Sequence, residues 1–138
     1  MKFAYLPAVG VYDTRGKQVS RPVLVIEVTG KDDAIFEIPA LVDSGADTTV
    51  ANIEYAKQLG IELGEEREIR GVGPGKVKAR VGELAFRIKQ TDISIRVPAW
   101  FVDSENVTVL IGQEVFFDKF RVKFEKDHGI FEIVPKNS

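Results

Sequence analysis

Ala34-Ile35-Phe36-Glu37-Ile38-Pro39-Ala40-Leu41-Val42 runs directly into Asp43-Ser44-Gly45, and the fold is decided at that junction. An apolar stretch closed by a short polar triplet ending in glycine is the pattern of a strand entering a tight turn. Such a turn lifts a carboxylate out of the core at a point the sheet holds still. Taken alone, Asp43 reads equally well as a catalytic acid or as a strand-terminal turn residue, because Asp and Gly are ordinary turn formers.

The flanking segments add order to the triplet. Ahead of it, residues 21–30 (Arg-Pro-Val-Leu-Val-Ile-Glu-Val-Thr-Gly) form a strand-turn unit. Behind it come Ala46-Asp47-Thr48-Thr49-Val50, then a glycine-rich hairpin candidate, Gly71-Val72-Gly73-Pro74-Gly75, and finally Val109-Leu110-Ile111-Gly112. In this order the segments resemble the retropepsin-like aspartic proteases, the family of the retroviral proteases and their cellular and prokaryotic relatives. The resemblance runs over residues 21–134 and is most specific over residues 41–50 combined with 110–112.

Composition sets the outer bounds. A chain of 138 residues can bury about two-thirds of its unfolded surface, enough for one independent core, so a single domain over residues 1–138 is expected, with residues 1–20 as an extension outside the strongest resemblance. A net charge of −2 supplies no attraction for nucleic acid or an anionic membrane, and neither is expected as a partner. Cysteine is absent, which excludes disulfides and thiolate metal sites. His128 is the lone histidine, which removes multi-histidine metal sites and argues against a Ser-His-Asp hydrolase. The segment Met1-Lys2-Phe3-Ala4-Tyr5-Leu6-Pro7 lacks a long apolar core, and no stretch reaches transmembrane length. The cytoplasm is the expected compartment.

Periodicity predicts mostly strands: residues 23–28, 34–42, 76–81, 84–88, 93–97, 100–102, 107–111, 120–125 and 130–134, several with strict apolar–polar alternation. Two short helices are predicted. One covers residues 53–59, with Asn52 as N-cap and Gly60 ending it, and one covers residues 113–117. Residues 1–20 are predicted to add one strand and a loop. Many short strands at this spacing argue for a closed or sandwich-like all-β architecture. The resemblance implies more: an all-β, closed-barrel-like retropepsin (acid protease) fold that is homodimeric.

Hydrolysis of a peptide bond without metal or covalent intermediate needs a base to activate water and an acid to protonate the departing nitrogen. Two carboxyl groups about 3 Å apart share one proton and do both, as in the aspartic proteases. This chain has one Asp-Ser-Gly, so the second carboxyl must come from Asp43 of an identical chain across a two-fold axis. A second Asp-x-Gly, Asp127-His128-Gly129, carries a histidine where the family has a hydroxyl. Alternating strand patterns lie on both sides of it, so it is read as a hairpin turn.

The resemblance assigns the remaining roles. Asp43 is the catalytic residue of an aspartic endopeptidase. Ser44 hydrogen-bonds backbone across the dimer axis, and Gly45 lets backbone and substrate approach closely. Ala46 and Asp47 are substrate-binding residues at the cleft edge, and Gly71, Val72 and Gly73 form a flap that closes over an extended peptide. Simple turn chemistry, a surface ion pair and a static hairpin are the plainer readings of the same residues. A phosphate loop is excluded at Gly75-Lys76, because Val77 follows where Ser or Thr is needed. The family's arginine after the glycine matching Gly112 is replaced here by Gln113-Glu114, so an arginine pair with Asp47 cannot form. The implied partners are a peptide or protein substrate and a second copy, with no metal or other cofactor. A catalytically weak or inactive peptide-binding or structural β-domain of the same fold is the alternative function.

Overall fold

Alternating apolar and polar residues drive most of this chain into strands, and the inward-facing sets meet in one barrel. The computed structural model describes residues 1–70 and 75–136. In chain order the elements are β1 (Lys2–Ala4), β2 (Leu6–Tyr12), β3 (Gln18–Arg21), β4 (Val23–Thr29), β5 (Ile35–Val42), β6 (Thr49–Asn52), α1 (Ile53–Leu59), β7 (Glu66–Arg70), β8 (Lys76–Ile88), β9 (Ser94–Val102), β10 (Val109–Ile111), α2 (Phe116–Lys119), β11 (Phe120–Glu125) and β12 (Ile130–Pro135).

Six strands close on themselves in the order β4-β5-β10-β6-β9-β8, with β8 returning to β4 and β7 attached outside β8. The closing seam is short, pairing Ile26 with Ile88 and Glu27 with Arg87. Arg87 strengthens it by donating Nε and Nη2 to Glu27 Oε1 at 3.0 and 2.7 Å, and the Lys89 amide donates to the Val25 carbonyl. Closure removes two strand edges that would otherwise invite pairing with other chains.

The barrel interior takes Leu24 and Ile26 from β4, Ile38 and Ala40 from β5, Phe86 and Ile88 from β8, and Val97 and Phe101 from β9. Burial of each large apolar side chain contributes about 1.5–3 kcal/mol. A second, smaller cluster holds Val50, Ala79, Val102 and Val107 with Trp100 and Ile69 against it. Val50 and Ala51, like Phe101 and Val102, are neighbours that go to different clusters. Strands β6 and β9 are therefore covered on both faces, which explains the unbroken apolar run Trp100-Phe101-Val102.

Two pairs of predicted strands are single strands. Residues 76–81 and 84–88 form the continuous β8, in which Gly82 pairs with Ala99 and Glu83 with Pro98. Gly82 marks close packing rather than a turn, since a Cβ there would meet Phe101 at 2.9 Å and Leu63 at 3.0 Å. Residues 93–97 and 100–102 likewise merge into β9 across Pro98. Residues 1–20 supply most of three strands instead of one. β1 joins β12 and β11 in a three-stranded sheet, and β2 and β3 form a separate two-stranded ribbon.

Helix α1 matches its prediction, because its limits are set by local chemistry. Asn52 Oδ1 accepts the Glu54 amide at 2.9 Å, and Gly60 ends the helix in the left-handed region at φ 72°, as capping rules require. The second helix begins three residues later than predicted. Val115, at φ 69°, cannot be helical, and the Gln113 and Glu114 amides are taken by Ala46 and Asp47 carbonyls. Phe116 then anchors α2 to the barrel, its ring 4.9 Å from Phe120 and 6.3 Å from Phe86. Asp127 and His128 lie in a 3-10 turn closed by Gly129 at φ 66°, the hairpin joining β11 to β12.

Candidate active site

The topology around Asp43 is unusual in one respect: β10 lies between two consecutive strands. β5 runs parallel to β10, with Leu41 beside Leu110 and Val42 beside Ile111. β6 runs antiparallel to β10, with Val50 beside Leu110 and Ala51 beside Val109. The chain leaving β5 must therefore cross the exit end of β10 before it can start β6. Residues 43–48 make that crossing, and Asp43 is its first residue.

Short hydrogen bonds fix the crossing. The Asp43 amide donates to the Ile111 carbonyl at 2.9 Å and the Ala46 amide to the Asp43 carbonyl at 3.2 Å. Asp43 Oδ1 accepts the Gly45 amide at 2.9 Å, an Asx-type turn that holds the carboxylate plane relative to the backbone. Asp43 is half-buried, while Ser44, Gly45 and Asp47 are exposed and Ala46 is half-buried. The carboxylate thus stands at the rim of the barrel, oriented by its own turn and open on one side.

Gly112 passes beneath the crossing. Its amide donates to Thr49 Oγ1 at 3.1 Å, and Thr49 is the one fully buried polar residue among the described residues. The Gln113 amide donates to the Ala46 carbonyl and the Glu114 amide to the Asp47 carbonyl, both at 2.8 Å. Gln113 Nε2 donates to the Ser44 carbonyl, and Thr48 Oγ1 donates to Glu114 Oε1 at 3.0 Å. The pair standing where the family has arginine thus ties down the turn by backbone and amide contacts rather than by an ion pair. Val115, a β-branched residue at positive φ, sits next in the chain, strain of a kind that gathers near functional sites at about 1–3 kcal/mol each.

Asp43, Ser44, Gly45, Ala46 and Asp47 are consecutive in the crossing from β5 to β6. Gly71, Val72 and Gly73 lie outside the described residues. The strands on either side of them pair antiparallel up to Arg70 opposite Lys76. Thr49 and Gln113 were missed as holders of the turn. Their contacts cross more than sixty residues of sequence, and only the hydroxyl-rich run Asp47-Thr48-Thr49 after the turn hinted at them.

A concavity of about 840 Å³ is lined by Glu27, Phe86, Arg87, Ile95, Arg96 and Lys119 among others, and Asp43 is not on its wall. Among the described residues, no group of three or more His, Asp or Glu is placed to hold a metal ion, and no helix is long and apolar enough to cross a membrane.

A closed six-stranded barrel with β10 inserted between β5 and β6, and an Asp-Ser-Gly turn at its end, is the retropepsin class of acid-protease fold. A sequence model of the family described as "gag-polyprotein putative aspartyl protease" matches residues 33–117, and the chain belongs to that family. No curated protein matches the sequence. Among solved structures, a retropepsin-like aspartic protease from Rickettsia conorii is similar with a TM-score of 0.59 at 16% identity, covering 97% of this chain and 98% of that one. The retroviral protease-like domain of Ddi1 from Leishmania major is similar with a TM-score of 0.57 at 16% identity, covering 83% of this chain and 89% of that one. At these identities the likeness is one of fold.

Proposed function

We propose that this chain is one subunit of a homodimeric aspartic endopeptidase whose catalytic pair is Asp43 from each copy. The observation that carries the reading is the turn itself. One half-buried carboxylate, oriented by Gly45, sits at the barrel rim with one side open, and the chain holds a single such turn. On this reading the cleft is formed only when a second rim faces the first.

Two such carboxyls brought together share one proton, because both cannot ionise at close range. The ionised member takes a proton from water as the oxygen attacks the substrate carbonyl. The protonated member donates its proton to the carbonyl oxygen, giving a neutral tetrahedral diol. The protonated member then gives its proton to the amide nitrogen while the ionised member takes one from a diol hydroxyl, so the C–N bond breaks to a carboxylic acid and an amine and the pair again holds one proton. Ser44 hydrogen-bonds backbone across the dimer axis, Gly45 lets backbone and substrate approach closely, Ala46 and Asp47 border an extended peptide, and Gly71, Val72 and Gly73 serve as the flap over it.

Cleavage of a mixed peptide library, with and without a transition-state-mimicking inhibitor of aspartic proteases, tests the reading. Asp43→Asn keeps size and removes the ionisable group, so it should lower the rate by at least about 10²–10⁴-fold with an unchanged fold. Parental activity in that variant would exclude Asp43 as catalyst. An inactive parent that binds peptides tightly would make the chain a peptide-binding domain instead.

A further inference from the structure

Residues 6–21 fold into a ribbon that the barrel does not use. β2 and β3 pair with each other, Leu6 opposite Arg21 and Tyr12 opposite Gln18, and among the described residues they share a sheet with no other strand. The tip is well built, with Asp13 Oδ1 accepting the amides of Arg15 and Lys17 at 2.9 Å each. A two-stranded ribbon with no packed face is marginal in water. This one nevertheless holds Val9 at 88% exposure and Tyr12 at 63%, with Leu6 and Val11 also exposed. Apolar side chains left exposed on a ribbon that no other strand pairs suit a surface that another molecule covers.

The root of the ribbon indicates which molecule. Arg21 leads through Pro22 into β4, and the Pro22 carbonyl accepts the Val42 amide at 2.9 Å, one residue before Asp43. Any two-fold axis that brings Asp43 against its copy brings both ribbon roots to that axis. Seven extended residues of β2 span about 23 Å, long enough to lie along a neighbouring barrel. β1, by contrast, is laddered on β12 of its own chain. Two facing carboxyls do not hold subunits together, because they repel unless they share a proton. Apolar contacts must come from elsewhere on the same rim.

We infer that the β2–β3 ribbon of each chain docks on the barrel of a second copy of the same chain and clamps the dimer. The docking rests on the homodimer reading above and adds to it the element that holds the subunits, in an isologous exchange of arms.

The test compares the parent protein with a Val9→Asp/Tyr12→Asp double variant by sedimentation equilibrium, circular dichroism and peptide cleavage. The dimer dissociation constant should rise at least tenfold in the variant, with activity falling at fixed concentration and returning as the protein is concentrated. Its circular dichroism should stay unchanged, because both side chains stand largely in solvent in the protomer. A variant that folds and dimerises like the parent overturns the docking and leaves the shared dyad standing. A parent that stays monomeric at every concentration overturns both. Hydrogen exchange on the parent gives a readout without substitution: the amides of residues 8–12 should gain protection as dimer forms. Protection unchanged through the transition overturns the docking.

Discussion

Gly112 and Thr48 are in backbone contact: a Cβ on Gly112 would lie 2.5 Å from the Thr48 carbonyl carbon and 2.6 Å from its oxygen. The crossing that carries Asp43 therefore rests on a position only glycine can occupy. Gly112→Ala must push the crossing away or strain β10, at a cost of about 1–3 kcal/mol or more. A fall in melting temperature of at least about 5 °C is expected, with loss of peptide cleavage. Thr49→Val keeps the shape but strands the Gly112 amide in the core, costing about 1–3 kcal/mol. Thermal unfolding of both variants against the parent checks the pair.

Gln113→Ala should separate positioning from folding. The change removes the Nε2 contact to the Ser44 carbonyl but keeps the Gln113 amide bond to Ala46. One exposed hydrogen bond contributes about 0.5–1.5 kcal/mol, so the melting temperature should move little. If the turn must be held for catalysis, kcat should drop about 2–10-fold, with a smaller change in KM. Gln113→Glu, which keeps the length and loses the donor, should behave like alanine. Equal kcat in all three proteins would remove Gln113 from any positioning role.

Specific activity should depend on protein concentration. One carboxyl per chain leaves a lone subunit without its acid, so rate per chain should follow the dimer fraction as the protein is diluted. Cleavage assays across a dilution series, paired with sedimentation, provide the comparison. A monomer that keeps full activity at every dilution would end the shared-dyad mechanism.

The pH profile of cleavage should be bell-shaped, with two apparent pKa values belonging to the pair. Below the lower value both carboxyls are protonated and no base remains. Above the upper value both are ionised and no acid remains. By analogy with other carboxyl pairs the optimum should fall at about pH 4–6, and a chelator should leave it unchanged. Rates that climb steadily to pH 9, or that vanish with chelator, would point to different chemistry.

Helix α1 shows what is legible in a single sequence. Its cap at Asn52 and its stop at Gly60 are contacts within a few residues, so residue identity alone places both ends. The strands around β8 and β9 show where such reading fails. Gly82 and Pro98 look like interruptions, yet each ladders with the facing strand, and only that neighbour decides whether a glycine bends the chain or lets another side chain come close. Residues 1–20 were under-read for a related reason. An exposed ribbon buries little, so it leaves little apolar periodicity to find.

Local residue patterns specify the strand entering Asp43-Ser44-Gly45, the alternation that fills a barrel, the limits of the first helix and the single Asp-Ser-Gly per chain. These follow from local stereochemistry and the two-residue period of a strand. Tertiary structure alone decided that β10 threads between β5 and β6, that Thr49 receives the Gly112 amide, and that Gln113 secures the Ser44 carbonyl. Those contacts join residues more than sixty positions apart. Hydrogen bonds of that kind depend on how strands are ordered in space, and no local pattern of residues encodes that order.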